Sequence, residues 1–186
     1  MSAAASASGS EDPEPYSRAV PARLWTRAFV DLLIAEALFG FSYALFVLLP
    51  KLLAVGYGAT AGQIGTVMAS FGVASLVTIP LIAPIVRRLD NRRTMIAGTA
   101  LLGLSALGFI FIHGAGVLAA VLRGAQGIAW SLTFAAGMSL VAEVAPPLRL
   151  GHGIGLFGAV ALATSALGPA VAEPIAARFA RPLSTS

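Results

Sequence analysis

A chain of 186 residues that is 58% hydrophobic and only 11% charged, with a mean hydropathy of +0.87, falls far from soluble domains, in which about a quarter of residues are charged. The net charge of +4 and pI near 10.3 do not mark a nucleic-acid binder, because that needs a basic face on a water-exposed domain. With no cysteine, disulfides, thiol nucleophiles and thiolate metal sites are excluded, and His113 and His152 lack metal-ligand spacing, so neither metal nor cofactor is expected.

Residues 1–24 are Ala/Ser-rich, then acidic and Pro-containing, which reads as a disordered cytoplasmic tail. No charged start leads into an apolar stretch with a cleavage site, so this is not a signal peptide. Residues 25–180 read as a transmembrane helical bundle, and 181–186 as a short tail. A spanning helix needs about 20 mostly apolar residues to cross about 30 Å of hydrocarbon. Five runs qualify, at about 28–53, 63–86, 94–113, 116–144 and 153–177. Five such runs with short connections argue against the buried helices of a soluble protein. Period-2 alternation is absent, which argues against a β-barrel. The expected fold class is an all-α membrane protein, a bundle of about five transmembrane helices.

Orientation follows from the basic residues. With the N-terminus in the cytoplasm, the inner segments hold Arg18, Arg23, Arg27, Arg87, Arg88, Arg92, Arg93 and Arg149, and the outer ones hold Lys51, Arg178 and Arg181. The positive-inside bias favours this arrangement in a multi-pass protein of the cell's inner or plasma membrane. Small residues recur at four-residue spacing, as Gly65 with Ala69, Ala120 with Gly124 and Gly151 with Gly155, a pattern that brings helices close in lipid. Gly153, Gly155 and Gly158 also spell G-x-G-x-x-G, but no strand precedes them, so helix packing is the better reading.

An ionisable group deep in a spanning helix costs about 2.5–3.5 kcal/mol on insertion scales and is a functional candidate by default. Arg123 lies about seven residues into the fourth run, roughly 10 Å along its axis. It either snorkels outward as an anchor or serves a site. Glu36 is near mid-depth in the first run and too short to snorkel. It faces a watery cavity, pairs with a cation, or stays protonated, each of which suits a proton or cation role. Asp31, only a turn or so inside, fits an interfacial position at a helix start, with transport as the other reading. Glu173 and His113 read as boundary residues.

Local motifs then carry a resemblance. LRGAQGIAW, Leu122 to Trp130, is similar to an R-x-x-Q-G signature through Arg123, Gln126 and Gly127. VAEVAPPLRLGHGIGLFG is similar to an acidic-residue, Ala-Pro-Pro, basic-loop, Gly-rich lead into a fifth helix, with Glu143 at the acidic position. Gly155, Gly168 and Pro169 fit part of an antiporter glycine–proline signature, while Thr164, Ala172 and Glu173 stand where further glycines belong. IVRRLDNRRTM resembles a degenerate G-x-x-x-D-R-x-G-R-R loop. In it Ala83 replaces the first glycine, Arg87 the aspartate and Asp90 the second glycine, with Arg88, Arg92 and Arg93 at or beside basic positions.

From about Leu24 to Ala180 the chain therefore resembles the N-terminal half of a major facilitator superfamily (MFS) transporter. The resemblance implies small-molecule transport in a lipid bilayer by alternating access, proton-coupled and of efflux type, not enzymatic. It puts Arg123, with Gln126 and Gly127 shaping its helix, in proton coupling, to which the depth of Glu36 and the position of Asp31 add further transport candidates. It makes the loop of Arg87, Arg88, Asp90, Arg92 and Arg93 a gate, latched through Glu143 to Arg88 or Arg92. Gly155, Gly168 and Pro169 become helix-packing or hinge positions. It also implies twelve helices in two halves with substrate between them. Five runs suggest a truncated transporter, a partner chain supplying the missing helices, or a non-transporting membrane interaction protein.

Overall fold

The computed structural model describes residues 23–86 and 90–180, without the side chains of 83–86, 169 and 172–180. The expected gating residues Arg87 and Arg88 therefore lie outside the described residues, and the side chain of Pro169 does too. The described chain is all α: helices α1 (Arg27–Ala44), α2 (Leu49–Tyr57), α3 (Ala61–Val86), α4 (Asn91–Gly108), α5 (Val117–Val144) and α6 (Leu150–Ala180). Short 3₁₀ turns link α1 to α2 at Leu45–Leu48, follow α4 at Phe109–Phe111 and precede α6 at Pro147–Arg149. Five stretches are long and apolar enough to cross a membrane: Arg27–Tyr57, Ala61–Ile82, Asn91–Phe111, Val117–Val144 and Pro147–Gly168.

Local chemistry explains where these helices start, break and stop. Thr26 caps α1, its Oγ1 accepting the Phe29 N–H at 3.3 Å. The first span is broken by a 3₁₀ turn just before Pro50, whose ring removes a donor and crowds the carbonyl four residues back. The span resumes as α2 and runs to Tyr57, four residues past the expected end at about 53, with Gly58 its left-handed C-cap at φ 62°. A capping box starts α3 two residues earlier than expected. In it Gln63 Oε1 accepts the Thr60 N–H at 2.9 Å and Thr60 Oγ1 accepts the Gln63 N–H at 3.4 Å. Asp90 caps α4, its Oδ1 accepting the Arg92 N–H at 3.0 Å, which draws that helix back to Asn91. The Pro146–Pro147 pair ends α5 and lets the chain turn into α6 at Leu150.

The bundle is built around α5, which packs against α1, α3, α4 and α6; α1 also packs along α6. Large apolar side chains point outward, among them Leu76, Leu104, Ile110, Val121 and Leu162, whereas Gly127, Ala129, Ser131, Thr133, Ala136 and Gly137 of α5 are buried. This inversion is what a bilayer requires. Lipid is as apolar as leucine, so helices associate through close backbone approach and interhelical hydrogen bonds. A Cβ on Gly127 would collide with the Phe71 carbonyl of α3, 3.1 Å from its carbon. Gly40 of α1 abuts Thr164 of α6, and Gly168 of α6 abuts Ala44 of α1. Ser70 Oγ donates to the Ala120 carbonyl at 2.8 Å, and the Ser75 and Ser131 hydroxyls meet at 2.8 Å, both between α3 and α5.

The four-residue spacings give a mixed result. Gly124 lies against Ala74 and Ser70, but Gly65, Gly151 and Gly155 have no side chain or backbone in reach of a Cβ. Spacing alone does not say which side of a helix meets a neighbour, and Gly155 is on the exposed side of α6. Gly127→Ala is therefore expected to destabilise the bundle by about 1–3 kcal/mol, while Gly155→Ala stays within about 0.5 kcal/mol, measured by denaturant unfolding in mixed micelles. In the same assay Asp90→Ala is expected to cost about 1 kcal/mol through loss of the α4 cap.

Candidate functional site

Two charged side chains are buried in the bundle among the described residues, and both were singled out by their depth in the sequence. Arg123 on α5 is 3% exposed and Glu36 on α1 is 4% exposed. They are not paired: no ion pair joins them, and the Glu36 Oε2 has no hydrogen-bond partner in the protein.

Arg123 sits in a cell made by α1, α3 and α5. Its Nη1 donates to Gln126 Oε1 at 2.6 Å, one turn along the same helix. Its guanidinium carbon lies 4.7 Å from the centre of the Phe71 ring and 5.4 Å from that of Tyr43. The two rings are themselves 5.4 Å apart. Aromatic faces carry negative charge density, so they stabilise a desolvated cation by about 2 kcal/mol or more each at best. Gln126 accepts with a neutral oxygen. The positive charge is thus held by dipoles and quadrupoles rather than by a carboxylate. Arg123 Nε and Gln126 Nε2 remain without acceptors. Gly127 makes the cell possible, because its missing side chain lets the Phe71 backbone come against α5.

The aromatic row continues from this cell. Phe71 lies 6.4 Å from Trp130, Trp130 stacks on Phe134 at 5.1 Å, and Phe134 meets Phe157 of α6 at 6.0 Å. Sequence reasoning found Arg123, Gln126 and Gly127 but missed Tyr43 and Phe71. For Tyr43 a signal existed, since it stands seven residues from Glu36 and so on the same face of α1. For Phe71 there was none, as α3 carries no charge to orient it.

The remaining expected residues fall at the α4 end of the bundle. Glu143, in the last turn of α5, accepts a 2.6 Å hydrogen bond from Asn91 Nδ2. The expected partner was Arg88 or Arg92; Arg88 lies outside the described residues, and no ion pair joins Glu143 to Arg92 among them. Asn91 was overlooked because it follows Asp90 in a run dominated by arginines. Asp90, expected as part of the gating loop, is occupied as the α4 cap. It approaches Arg93 Nε only at 3.9 Å, both side chains being well exposed. Asp31 is exposed and shares with Arg92 the lining of a groove of about 1400 Å³ between α1, α2 and α4. The groove is otherwise mostly apolar, with Leu38, Leu45, Leu52 and Ile96 along it. Gly168 is buried against α1, whereas Gly155 meets nothing.

No curated protein matches the chain in sequence. The fold, five apolar spans with a buried arginine, glutamine and glycine on the fourth, agrees with a match over residues 32–180 to the profile described as Major Facilitator Superfamily. That match covers well over half of the chain, and the protein belongs to this superfamily of multi-pass membrane transporters.

Proposed function

We propose that this chain serves proton-coupled, efflux-type movement of a small molecule by alternating access, with Arg123 and Glu36 as its charge sites. The observation that carries the reading is the Arg123 cell. Burying an arginine in lipid is costly, and an ion pair with a carboxylate would compensate it but also lock it. Here the compensation comes from two ring faces and one amide oxygen. The charge is tolerated yet not neutralised, and two N–H groups stay unspent for an acceptor arriving during a transport cycle. Glu36 stands about 10 Å back along α1 from Tyr43, so a proton taken up or released there shares one rigid helix with the ring that faces Arg123.

The other end of the bundle supplies the gate in this reading. The Asn91–Glu143 bond ties the start of α4 to the end of α5, while Asp31 and Arg92 face the same groove. Arg23, Arg27, Arg92, Arg93 and Arg149 all precede or open helices at this end, which favours a cytoplasmic N-terminus in the cell's inner or plasma membrane. The efflux direction rests on the Gly168–Pro169 pair, of which Gly168 seats α6 against Ala44 of α1. Asp31, exposed, is better placed at the interface than in proton transfer.

In proteoliposomes carrying an internal pH dye, candidate substrates added across a pH gradient are expected to move protons with the native protein. Arg123→Ala should abolish that movement while leaving carbonate-resistant membrane insertion intact. Unchanged proton flux would reduce Arg123 to an anchor. No flux from the native protein with any substrate would favour the alternative, a non-transporting membrane interaction protein. Independently of flux, Gln126→Leu is expected to destabilise the bundle by about 1.5–3 kcal/mol in micellar unfolding, by stripping a buried charge of its acceptor. The double change Arg123→Met with Gln126→Leu should recover part of that loss, because no unpaired charge remains.

A further inference from the structure

Buried stripes on three helices flank the level of Glu36, α1 and α4 each packing on α5 with the groove running between them. On α1, Leu32, Glu36 and Phe39 form one buried stripe; on α4, Met95, Gly98 and Leu102 form another; on α5, Ala129, Thr133 and Ala136 form the third. Leu32, Met95 and Ala136 belong to one core cluster, and Phe39, Leu102 and Ala129 to another. In each stripe the middle residue stands three or four positions from both outer ones, one helical turn either way. Glu36, Gly98 and Thr133 therefore make a middle layer, flanked on either side by apolar triples whose α1 and α4 members, Leu32, Met95, Phe39 and Leu102, also line the groove.

This layer is polar and unsatisfied. Glu36 Oε2 and Thr133 Oγ1 are both buried with no hydrogen-bond partner in the protein, and Thr133 is 0% exposed. The threonine is exceptional in one respect. Thr99, Ser131, Ser139 and Thr164 all donate their hydroxyls to a carbonyl four residues back on their own helix, and Thr133 does not. Its hydroxyl faces α4, where Gly98 leaves the room: a Cβ there would fall on Thr133 Oγ1 and 3.0 Å from the Ala129 carbonyl. A glycine thus keeps space open in front of an unspent hydroxyl, at the level of an unspent carboxyl oxygen.

We propose that Glu36, Gly98 and Thr133 form a binding cell for a single proton, in which Thr133 is a positioning residue that supports the ionised carboxylate of Glu36. A hydroxyl donates more strongly to a carboxylate than to a neutral acid, so Thr133 holds proton affinity down and lets Glu36 release as well as bind. Among the described side chains no other charge stands at this level. On α1, Asp31 is exposed and Tyr43 lies two turns away beside Arg123. On α4, Arg92 and Arg93 are exposed in the first turn. On α5, Arg123 and Glu143 each stand ten residues from Thr133, about 15 Å along the axis. On α6, His152 is exposed in the first turn, and Glu173 and Arg178 come well after Thr164, the residue that meets α1 at Gly40.

The inference rests on reading Glu36 as a proton site, and the test separates the two. Purified protein in lipid nanodiscs is treated with dicyclohexylcarbodiimide, which modifies protonated carboxyls in apolar surroundings, and modification of Glu36 is followed by mass spectrometry against pH. The native profile should fall with rising pH through one midpoint, and Glu36→Gln should remove the signal. Thr133→Val, nearly isosteric, should move the midpoint up by about one pH unit, a tenfold gain in proton affinity, while Thr133→Ser stays near the native value. Gly98→Ala should shift the midpoint in the same direction as Thr133→Val by displacing the hydroxyl. A native profile flat with pH would remove the proton site itself. A titrating native profile with an unmoved Thr133→Val midpoint would overturn the role of Thr133 alone. Protection of Glu36 by Na⁺ at fixed pH would replace the proton as occupant and overturn the proposal.

Discussion

Lipid gives helices nothing to hide from, and this absence of a hydrophobic drive governs the bundle. Its helices hold together because their backbones come close enough for dispersion contacts and for hydroxyl groups to reach across. α5 is the helix through which this happens. Its inward side is glycine, alanine, serine and threonine, and bulk lies on the outward side, the reverse of a soluble helix. Gly127 against Phe71, Gly98 against Thr133 and Gly168 against Ala44 mark the tight approaches between α5 and α3, α4 and α5, and α6 and α1. Remove the closeness and the polar atoms that bridge the helices lose their partners in a medium that supplies none.

The same closeness sets what the buried charges can do. Arg123 is reached by Phe71 and Tyr43 because α3 and α1 lie near α5, and its charge is compensated without a carboxylate. Glu36 lies in a layer whose other members are a glycine and a free hydroxyl. Each charge keeps a buried polar atom without a partner, the Arg123 Nε and the Glu36 Oε2.

The acidic residue that precedes α4 shapes that helix. Asp90 spends its side chain on the Arg92 N–H, so little is left for a latch, and the exposed approach to Arg93 is worth about 0–1 kcal/mol. The tie between the helix ends passes to Asn91 and Glu143, a neutral donor to a carboxylate.

By itself the sequence determined the number of spans, their approximate bounds and the depth of Arg123 and Glu36, because the length of an apolar run and the position of a charge within it are properties of the chain alone. It also determined the local punctuation at Thr26, Thr60, Gly58 and Asp90, although arginine and glutamine patterns drew attention elsewhere. Only the tertiary structure decided which glycines are contacts, since Gly127 and Gly155 carry the same chemistry and differ in what stands opposite them. It alone chose Tyr43 and Phe71 as the faces over Arg123, and Asn91 as the partner of Glu143. Each of those pairings joins residues on different helices, and the rotation of one helix against another is set by packing between surfaces that no local pattern encodes.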